Sequence, residues 1–419
     1  MKITELDALF AFMVAAVIAA ALTPLTMRLA MRVGAVDEPR ERGLSNRRTP
    51  LLGGLAIFAG VLVGGLIFLP GTAEWHGVLA AAGIITGVGA LDDRFDLPPG
   101  VKLGGQLVAA IVAVRAGIVV HSITLPFVGA LSFPNAGGTL TVIGLVGLMN
   151  IVNFSDGVDG LAAGICAIIA GTLAVIAFDL HRGAPGGVIA ALTAGAALGF
   201  LIHNFHPASS FMGDCGSNLL GLLMGVAAVE GSVKTTAVVS FAVPLILLTV
   251  PFLDTTFVVL KRIKYHQPFY QPDAEHFHHR MARIGFSQRQ TVLYLYAWTL
   301  MLAGLALALR FVPYSDHHGH LHTGWSLVMG GLGLVVGAAS VYLIYVLEIL
   351  KFKRLATLRQ RRLAPDATDA EIDASVVESL ETGEFDVVQT SEAAGRGGAA
   401  KAVRRTRAVP EDGPSGRST

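Results

Sequence analysis

Residues Asn150–Gly164 read NIVNFSDGVDGLAAG. The stretch before them, TLTVIGLVGLM (Thr139–Met149), is apolar, and so is the stretch after them, ICAIIAGTLAVIA (Ile165–Ala177). Asp156 and Asp159 therefore stand between two segments suited to lipid. An ionised side chain at membrane depth costs roughly 2.5–3.5 kcal/mol on insertion scales and marks a functional position by default. The two aspartates are three residues apart, a spacing that puts them on one face if the segment is helical.

The alternation of apolar run and compact polar motif extends along the whole chain. Of 419 residues, 53% are hydrophobic and 15% charged, and the mean hydropathy is +0.62. This composition is not that of a soluble domain and predicts a polytopic integral membrane protein. Apolar runs of about 18–25 residues can each cross a bilayer as a helix. About eleven are present, near 8–33, 51–69, 76–91, 101–120, 138–153, 158–178, 187–203, 213–229, 235–260, 291–312 and 324–349. The first run lacks a small-residue cleavage site and ends with Arg28 and Arg32, so it reads as a retained helix. The expected fold is all-α, with about eleven transmembrane helices in a membrane domain over 1–350. The segment 351–419 is expected to be a cytoplasmic tail, mostly disordered, because from about Ala364 it is rich in Ala, Gly, Glu, Asp, Ser and Arg.

Charge is uninformative in total, at +1, and informative in its distribution. One alternate set of loops carries Arg40, Arg42, Arg47 and Arg48, then Arg94 and Lys102, then Lys261, Arg262, Lys264, Arg280, Arg283 and Arg289, then Lys351, Lys353 and Arg354. The other set carries only Arg182 and Lys234. The positive-inside rule places the first set in the cytoplasm. An odd number of spans then leaves the N-terminus outside and the C-terminus inside. Every conspicuous polar motif falls on the cytoplasmic side, which predicts one composite cleft there. A lipid bilayer is the expected environment, and no nucleic-acid partner is expected. Only Cys166 and Cys215 are present, without metal-thiolate spacing.

The polar motifs hold several carboxylates: Asp92 and Asp93 adjacent, Asp96 one turn on, then Asp156, Asp159 and Asp214. Converging carboxylates repel one another unless a cation joins them, and hard oxygen ligands select Mg²⁺, or Mn²⁺ in its place. The competing reading is helix capping. It suits Asp214 and Asp96 taken singly and does not account for the Asp92–Asp93 doublet. Gly157, Gly160, Gly213 and Gly216 beside the aspartates allow close backbone approach to phosphate. The same residue type also serves helix packing in membranes. The run HFHHR supplies His276, His278, His279 and Arg280, which could hold a diphosphate, a zinc ion, or nothing beyond solvent. A second His-rich stretch, DHHGHLH (Asp316–His322), falls on the opposite side and reads as a solvated loop. Hard-metal carboxylates, phosphate-binding glycines and basic groups at a membrane surface fit phosphoryl transfer from a soluble donor to a lipid acceptor. A transporter shares the buried aspartates. It would place them near the midplane, often with internal symmetry, and no repeat is evident.

The motifs LDDRFDLPPGVKLGGQ, NIVNFSDGVDGLAAG, HNFHPASSFMGDCGSNLLG and DAEHFHHRM, in that order across about 35–290, resemble those of the polyprenyl-phosphate N-acetylhexosamine-1-phosphate transferases. These form the MraY/WecA superfamily, and the run HFHHR is similar to its WecA/TagO-like branch. The resemblance implies transfer of an N-acetylhexosamine-1-phosphate, GlcNAc-1-phosphate in this branch, from a UDP-sugar to undecaprenyl or decaprenyl phosphate. UMP is released and Mg²⁺ is required. Phospho-MurNAc-pentapeptide transfer is the alternative within the superfamily. The resemblance also implies site roles. Asp214 resembles the principal Mg²⁺ ligand, with Asp156 beside the metal and diphosphate. Asp92 and Asp93 resemble the catalytic pair that engages the lipid phosphate. Asn153, Asp159, Asn204 and Phe211 resemble substrate contacts, the last three at uridine. Lys102, His276, His278, His279 and Arg280 resemble diphosphate and sugar contacts. Relatives form dimers, which implies a homodimer. The first loop departs from the branch: Ser45 stands where His is usual and Leu51 where Arg is usual, with Arg47 and Arg48 nearby.

Overall fold

A computed structural model of the protein describes residues 4–37, 48–125, 129–180, 185–230, 287–313 and 322–349, with isolated positions at 246, 248, 249 and 372. Its helices are α1 (Glu5–Val33), α2 (Gly53–Phe68), α3 (Ala73–Phe95), α4 (Pro99–Ala116), α5 (Gly137–Ser155), α6 (Leu161–Leu180), α7 (Pro185–Asn204), α8 (Gly213–Ala228), α9 (Gln288–Phe311) and α10 (Thr323–Ile349). Each coincides with an apolar run expected from the sequence. The run 235–260 lies outside the described residues apart from positions 246, 248 and 249. Among the described residues seven helices, α1, α3, α5, α6, α7, α9 and α10, are long and apolar enough to cross a membrane. The protein is thus a mostly helical, multi-pass membrane protein.

Two short antiparallel pairs lie in the connections, a feature the helical reading did not contain. β1 (Val36–Asp37) pairs with β2 (Thr49–Pro50), and β3 (Ser122–Leu125) with β4 (Gly129–Ser132).

Local sequence sets the helix ends. Thr4 and Asp7 form a capping box at the start of α1, and Gly34 ends that helix in the left-handed region at φ 76°. Small residues set the packing. Ala8, Ala11, Ala15, Ala19 and Thr23 form the buried stripe of α1. On α7, a Cβ at Gly195 or Gly199 would stand 2.1 Å from the carbonyl oxygen of Phe12 or Ala16. The two backbones are therefore in direct contact, the close approach that small-xxx-small spacing permits in membranes.

α8 occupies the centre, against α2, α3, α5, α6 and α7. Its described α-helical part has 16 residues, Gly213–Ala228. Cys215–Ala228 are buried on every side, as expected of an all-round apolar core helix. Three glycines admit it. A Cβ at Gly54 would meet the backbone N of Gly216 at 2.1 Å, one at Gly89 would meet Cys215 Cα at 2.4 Å, and one at Gly221 would meet Met149 Cα at 2.6 Å.

The α1–α2, α3–α4, α5–α6 and α7–α8 connections meet at one end. Phe211 N–H donates to the Pro50 carbonyl at 2.9 Å, and Gly53 and Gly54 N–H donate to the Phe211 and Met212 carbonyls at 3.1 and 2.9 Å. The β3–β4 pair closes the opposite end of α4 and α5. The compact unit holding all of this is Met1–Ser340, and Val341–Thr419 forms a second unit.

Candidate active site

The N-terminus of α8 is the hub of that end. Asp214 lies on its first turn, as the sequence led us to expect. Its Oδ1 accepts from Asn153 Nδ2 at 2.8 Å, and its Oδ2 lies 3.5 Å from Lys102 Nζ. Asn153 also donates to Ser217 Oγ at 2.9 Å. Lys102, on the first turn of α4, is 2.6 Å from Asp92 Oδ2 and 4.0 Å from Asp96 Oδ1. Asp92 is buried and accepts from the Leu97 N–H through its other oxygen at 2.8 Å. Asp96 ends α3 as its C-cap, at φ 49°, and is fully exposed.

Asp93 points the other way, into α8. Its Oδ1 accepts from the Asp214 N–H at 2.7 Å and its Oδ2 from the Cys215 N–H at 3.2 Å. Capping does account for the second member of the Asp92–Asp93 doublet, because the capped helix is a different one.

Asp156 and Asp159 do not share a helix face. Asp156 is the C-cap of α5, and the chain turns through Gly157–Gly160, where Gly160 takes φ 78°, before α6 begins at Leu161. The glycines end the helix that the three-residue spacing suggested. Among the described residues the Asp156 carboxylate accepts no hydrogen bond. Burial first, and then the charges of Asp214, Asp93 and Asp159, push its carboxyl up to about 8.

Asp159 and Asn204 are found holding a loop. Asp159 Oδ2 accepts from the Ala208 N–H at 3.0 Å and pairs with His206 Nδ1 at 2.8 Å. Asn204 is buried. It accepts from the Gly160 N–H at 3.0 Å and donates to the Ser210 carbonyl at 2.9 Å. The turn 157–160 and the loop 203–211 are thereby one unit, with Phe211 half-buried at its edge. α9 presses on it from outside. Tyr296 donates to the Gly160 carbonyl, and Arg289 Nε donates to the His206 carbonyl at 3.2 Å. His276, His278, His279 and Arg280 lie outside the described residues.

The sequence reading missed a buried amide relay beneath the carboxylates. Asn150 donates to Gln106 Oε1 at 2.9 Å, Gln106 to Asn218 Oδ1 at 2.7 Å, and Asn218 to the Asp214 carbonyl at 2.9 Å. These amides tie α5, α4 and α8 together. Each lies inside a motif already noticed, and an amide within an apolar helix is itself a signal. Tyr296 carried no such signal.

Among the described residues no three His, Cys, Asp or Glu side chains form a metal cage. Mg²⁺ does not require one, since it takes one or two carboxylates and completes its shell with water and phosphate oxygens. Asp214, with about a third of its side chain exposed, is a carboxylate that fits that demand.

A family model described as glycosyl transferase family 4 matches residues 75–232, the span from α3 through α8 that builds this end of the molecule. The chain is similar to a probable undecaprenyl-phosphate N-acetylglucosaminyl 1-phosphate transferase of Bacillus subtilis. The two are 36% identical over 312 residues, covering 72% of this chain and 84% of the relative. It is also similar to a decaprenyl-phosphate N-acetylglucosaminephosphotransferase of Mycobacterium leprae, 35% identical over 361 residues, covering 78% and 88%. An undecaprenyl-phosphate alpha-N-acetylglucosaminyl 1-phosphate transferase of Escherichia coli is 27% identical over 299 residues, covering 68% and 80%. Since the Bacillus relative is 36% identical over most of both sequences and the family model spans α3 through α8, the chain belongs to glycosyl transferase family 4.

Proposed function

We propose that the protein transfers N-acetylglucosamine-1-phosphate from UDP-N-acetylglucosamine to a polyprenyl phosphate, undecaprenyl or decaprenyl, and releases UMP. This would be the first membrane step in the synthesis of a cell-envelope polysaccharide. The observation that carries the reading is the meeting of Asp92, Lys102, Asn153, Asp156 and Asp214 at one end of the helix bundle. The names of the relatives supply the transferred group and the polyprenyl-phosphate acceptor, and the UDP donor is what the family resemblance implies.

In the reaction an oxygen of the lipid phosphate attacks the β-phosphorus of the donor. A new P–O bond forms there, and the bond from that phosphorus to the bridging oxygen breaks, leaving with UMP. Asp214 and Asp156 would hold Mg²⁺, or Mn²⁺ in its place. The ion would supply charge neutralisation for the diphosphate. Asn153 orients the Asp214 carboxylate through Oδ1. Lys102 would meet the donor's diphosphate, and the family resemblance implies the same role for His276, His278, His279 and Arg280. Asp92 borders the acceptor phosphate. The Phe211 ring would stack on uracil, in a loop whose shape Asp159 and Asn204 fix.

The same reading carries eleven spans, with the site at the cytoplasmic face of the bacterial inner membrane. The N-terminus is outside, the C-terminus is in the cytoplasm, and the enzyme is a homodimer.

The test is UMP release by purified protein in detergent with Mg²⁺ and undecaprenyl phosphate. UDP-GlcNAc and UDP-MurNAc-pentapeptide are supplied in separate reactions. Release from UDP-GlcNAc alone, abolished by EDTA, is the expected result. Release from the pentapeptide donor alone would keep the chemistry and overturn the sugar. No release from either would overturn the reading.

A further inference from the structure

Asp93 stands beside Asp92 in sequence, and the resemblance implies that both engage the lipid phosphate. Their surroundings differ. Asp92 faces Lys102, whereas both oxygens of Asp93 are taken by backbone N–H groups of α8, those of Asp214 and Cys215. The first N–H groups of a helix have no partner within it and carry the positive end of its dipole. α8 has no cap of its own. Its N-cap residue, Met212, has helical backbone angles and makes no side-chain cap. An acidic side chain from another helix fills that place.

The surrounding glycines are arranged around this contact. Gly213 takes φ +71°, and a Cβ on it would stand 2.3 Å from Asp93 Oδ2. Gly89, one turn before Asp93 on the same face of α3, lies against the backbone of Asp214 and Cys215, where a Cβ would be 2.6 and 2.4 Å away. α3 thus seats its Gly89–Asp93 face directly on the start of α8.

We propose that Asp93 is a positioning residue. Its carboxylate caps α8 from α3 and so fixes the backbone from which Asp214 projects toward Lys102 and Asn153. The reading rests on Asp214 taking part in the transfer. Asp92 and Asp93 then have separate duties: Asp92 serves the phosphates, and Asp93 serves the helix that brings Asp214 to them.

Cys215 provides a readout independent of turnover. Its thiol is fully buried and donates to the Met212 carbonyl at 3.3 Å. With Cys166→Ser it becomes the sole thiol of the chain. Loosening the start of α8 should admit a maleimide to it and also speed hydrogen exchange of the Asp214 and Cys215 amides, a second reading that the effect of the Asp93 charge on the thiol does not move. In that background the labelling rate in detergent should rise about tenfold for Asp93→Ala, the scale a lost helix cap produces. It should rise less for Asp93→Asn, which keeps one acceptor oxygen, and UMP release should fall in the same order. Asp92→Asn should abolish release at the unaltered labelling rate. Should Asp93→Ala not fold, the comparison of Asp93→Asn with Asp92→Asn carries the test.

Loss of release in Asp93→Asn with Cys215 labelled at the wild-type rate would overturn the proposal, because the group would then act on substrate. Faster labelling with full release would overturn it too. Full release by Asp214→Asn would instead sink the reading on which the proposal rests, and the labelling rates would still report whether the cap exists.

Discussion

Asp156 is a carboxyl held near pH 8 by burial and by the charges of Asp214, Asp93 and Asp159. A proton and a cation compete for such a group, and a ligand must be deprotonated to bind metal. With the Asp156 carboxyl raised to about 8, protonation would oppose the proposed metal below that pH. Apparent Mn²⁺ affinity, measured by titration without substrates, should therefore weaken about tenfold for each pH unit below 8. Asp156→Asn should remove that slope. Lys102 is the other residue whose partners conflict. Its ammonium sits between Asp92 and Asp214, where it acts as their internal counter-ion. Lys102→Met should tighten Mn²⁺ binding in the absence of donor and, on the proposed diphosphate contact, raise the KM for the donor. Equal Mn²⁺ affinity in wild type and variant would show that the ion and the lysine do not share the carboxylates.

The helices that carry these groups meet through glycine, and that contact can be tested one position at a time. A Cβ at Gly54 would strike the backbone of Gly216 at 2.1 Å, whereas one at Gly87 on α3 meets nothing within 4 Å. Backbone cannot yield as a side-chain tip can. Gly54→Ala should cost about 1–3 kcal/mol, the usual toll of overpacking, and lower the Tm in detergent. Gly87→Ala should leave the Tm unchanged or raise it, as Ala is the better helix former. α9 acts at the same scale. Tyr296 and Arg289 hold the 157–160 turn and the 203–211 loop from outside. Tyr296→Phe removes a hydrogen bond worth about 0.5–1.5 kcal/mol. It should raise the KM for the nucleotide donor more than it lowers kcat, if that loop carries the uracil.

Over the whole molecule, the α1–α2, α3–α4, α5–α6 and α7–α8 turns share one end and the β3–β4 pair the other. Asp96 is exposed at the first end and Asn135 at the second, so the two should face opposite sides of the membrane. Both native thiols are buried. An impermeant maleimide applied to intact cells, after permeabilisation of the outer layers, should label Asn135→Cys and spare Asp96→Cys. Inverted vesicles should give the reverse. Labelling of both from one side would refute a membrane-crossing bundle, and an inverted pattern would refute the cytoplasmic site.

The sequence by itself determined the apolar runs, their approximate ends and the grouping of polar motifs in alternate loops. These depend on composition and on periodicity along one chain, which lipid makes emphatic. It also placed Asp214 at a helix start, since the glycine before it and the apolar run after it are adjacent in sequence. Only the tertiary structure decided that Asp93 reaches Asp214 and Cys215 across more than a hundred residues, that Gln106, Asn150 and Asn218 form one relay, and that Asp159 and Asn204 hold a loop. The physical reason is that each of these bonds joins different helices. Its existence depends on which glycines let two backbones approach, and no spacing along the chain records that.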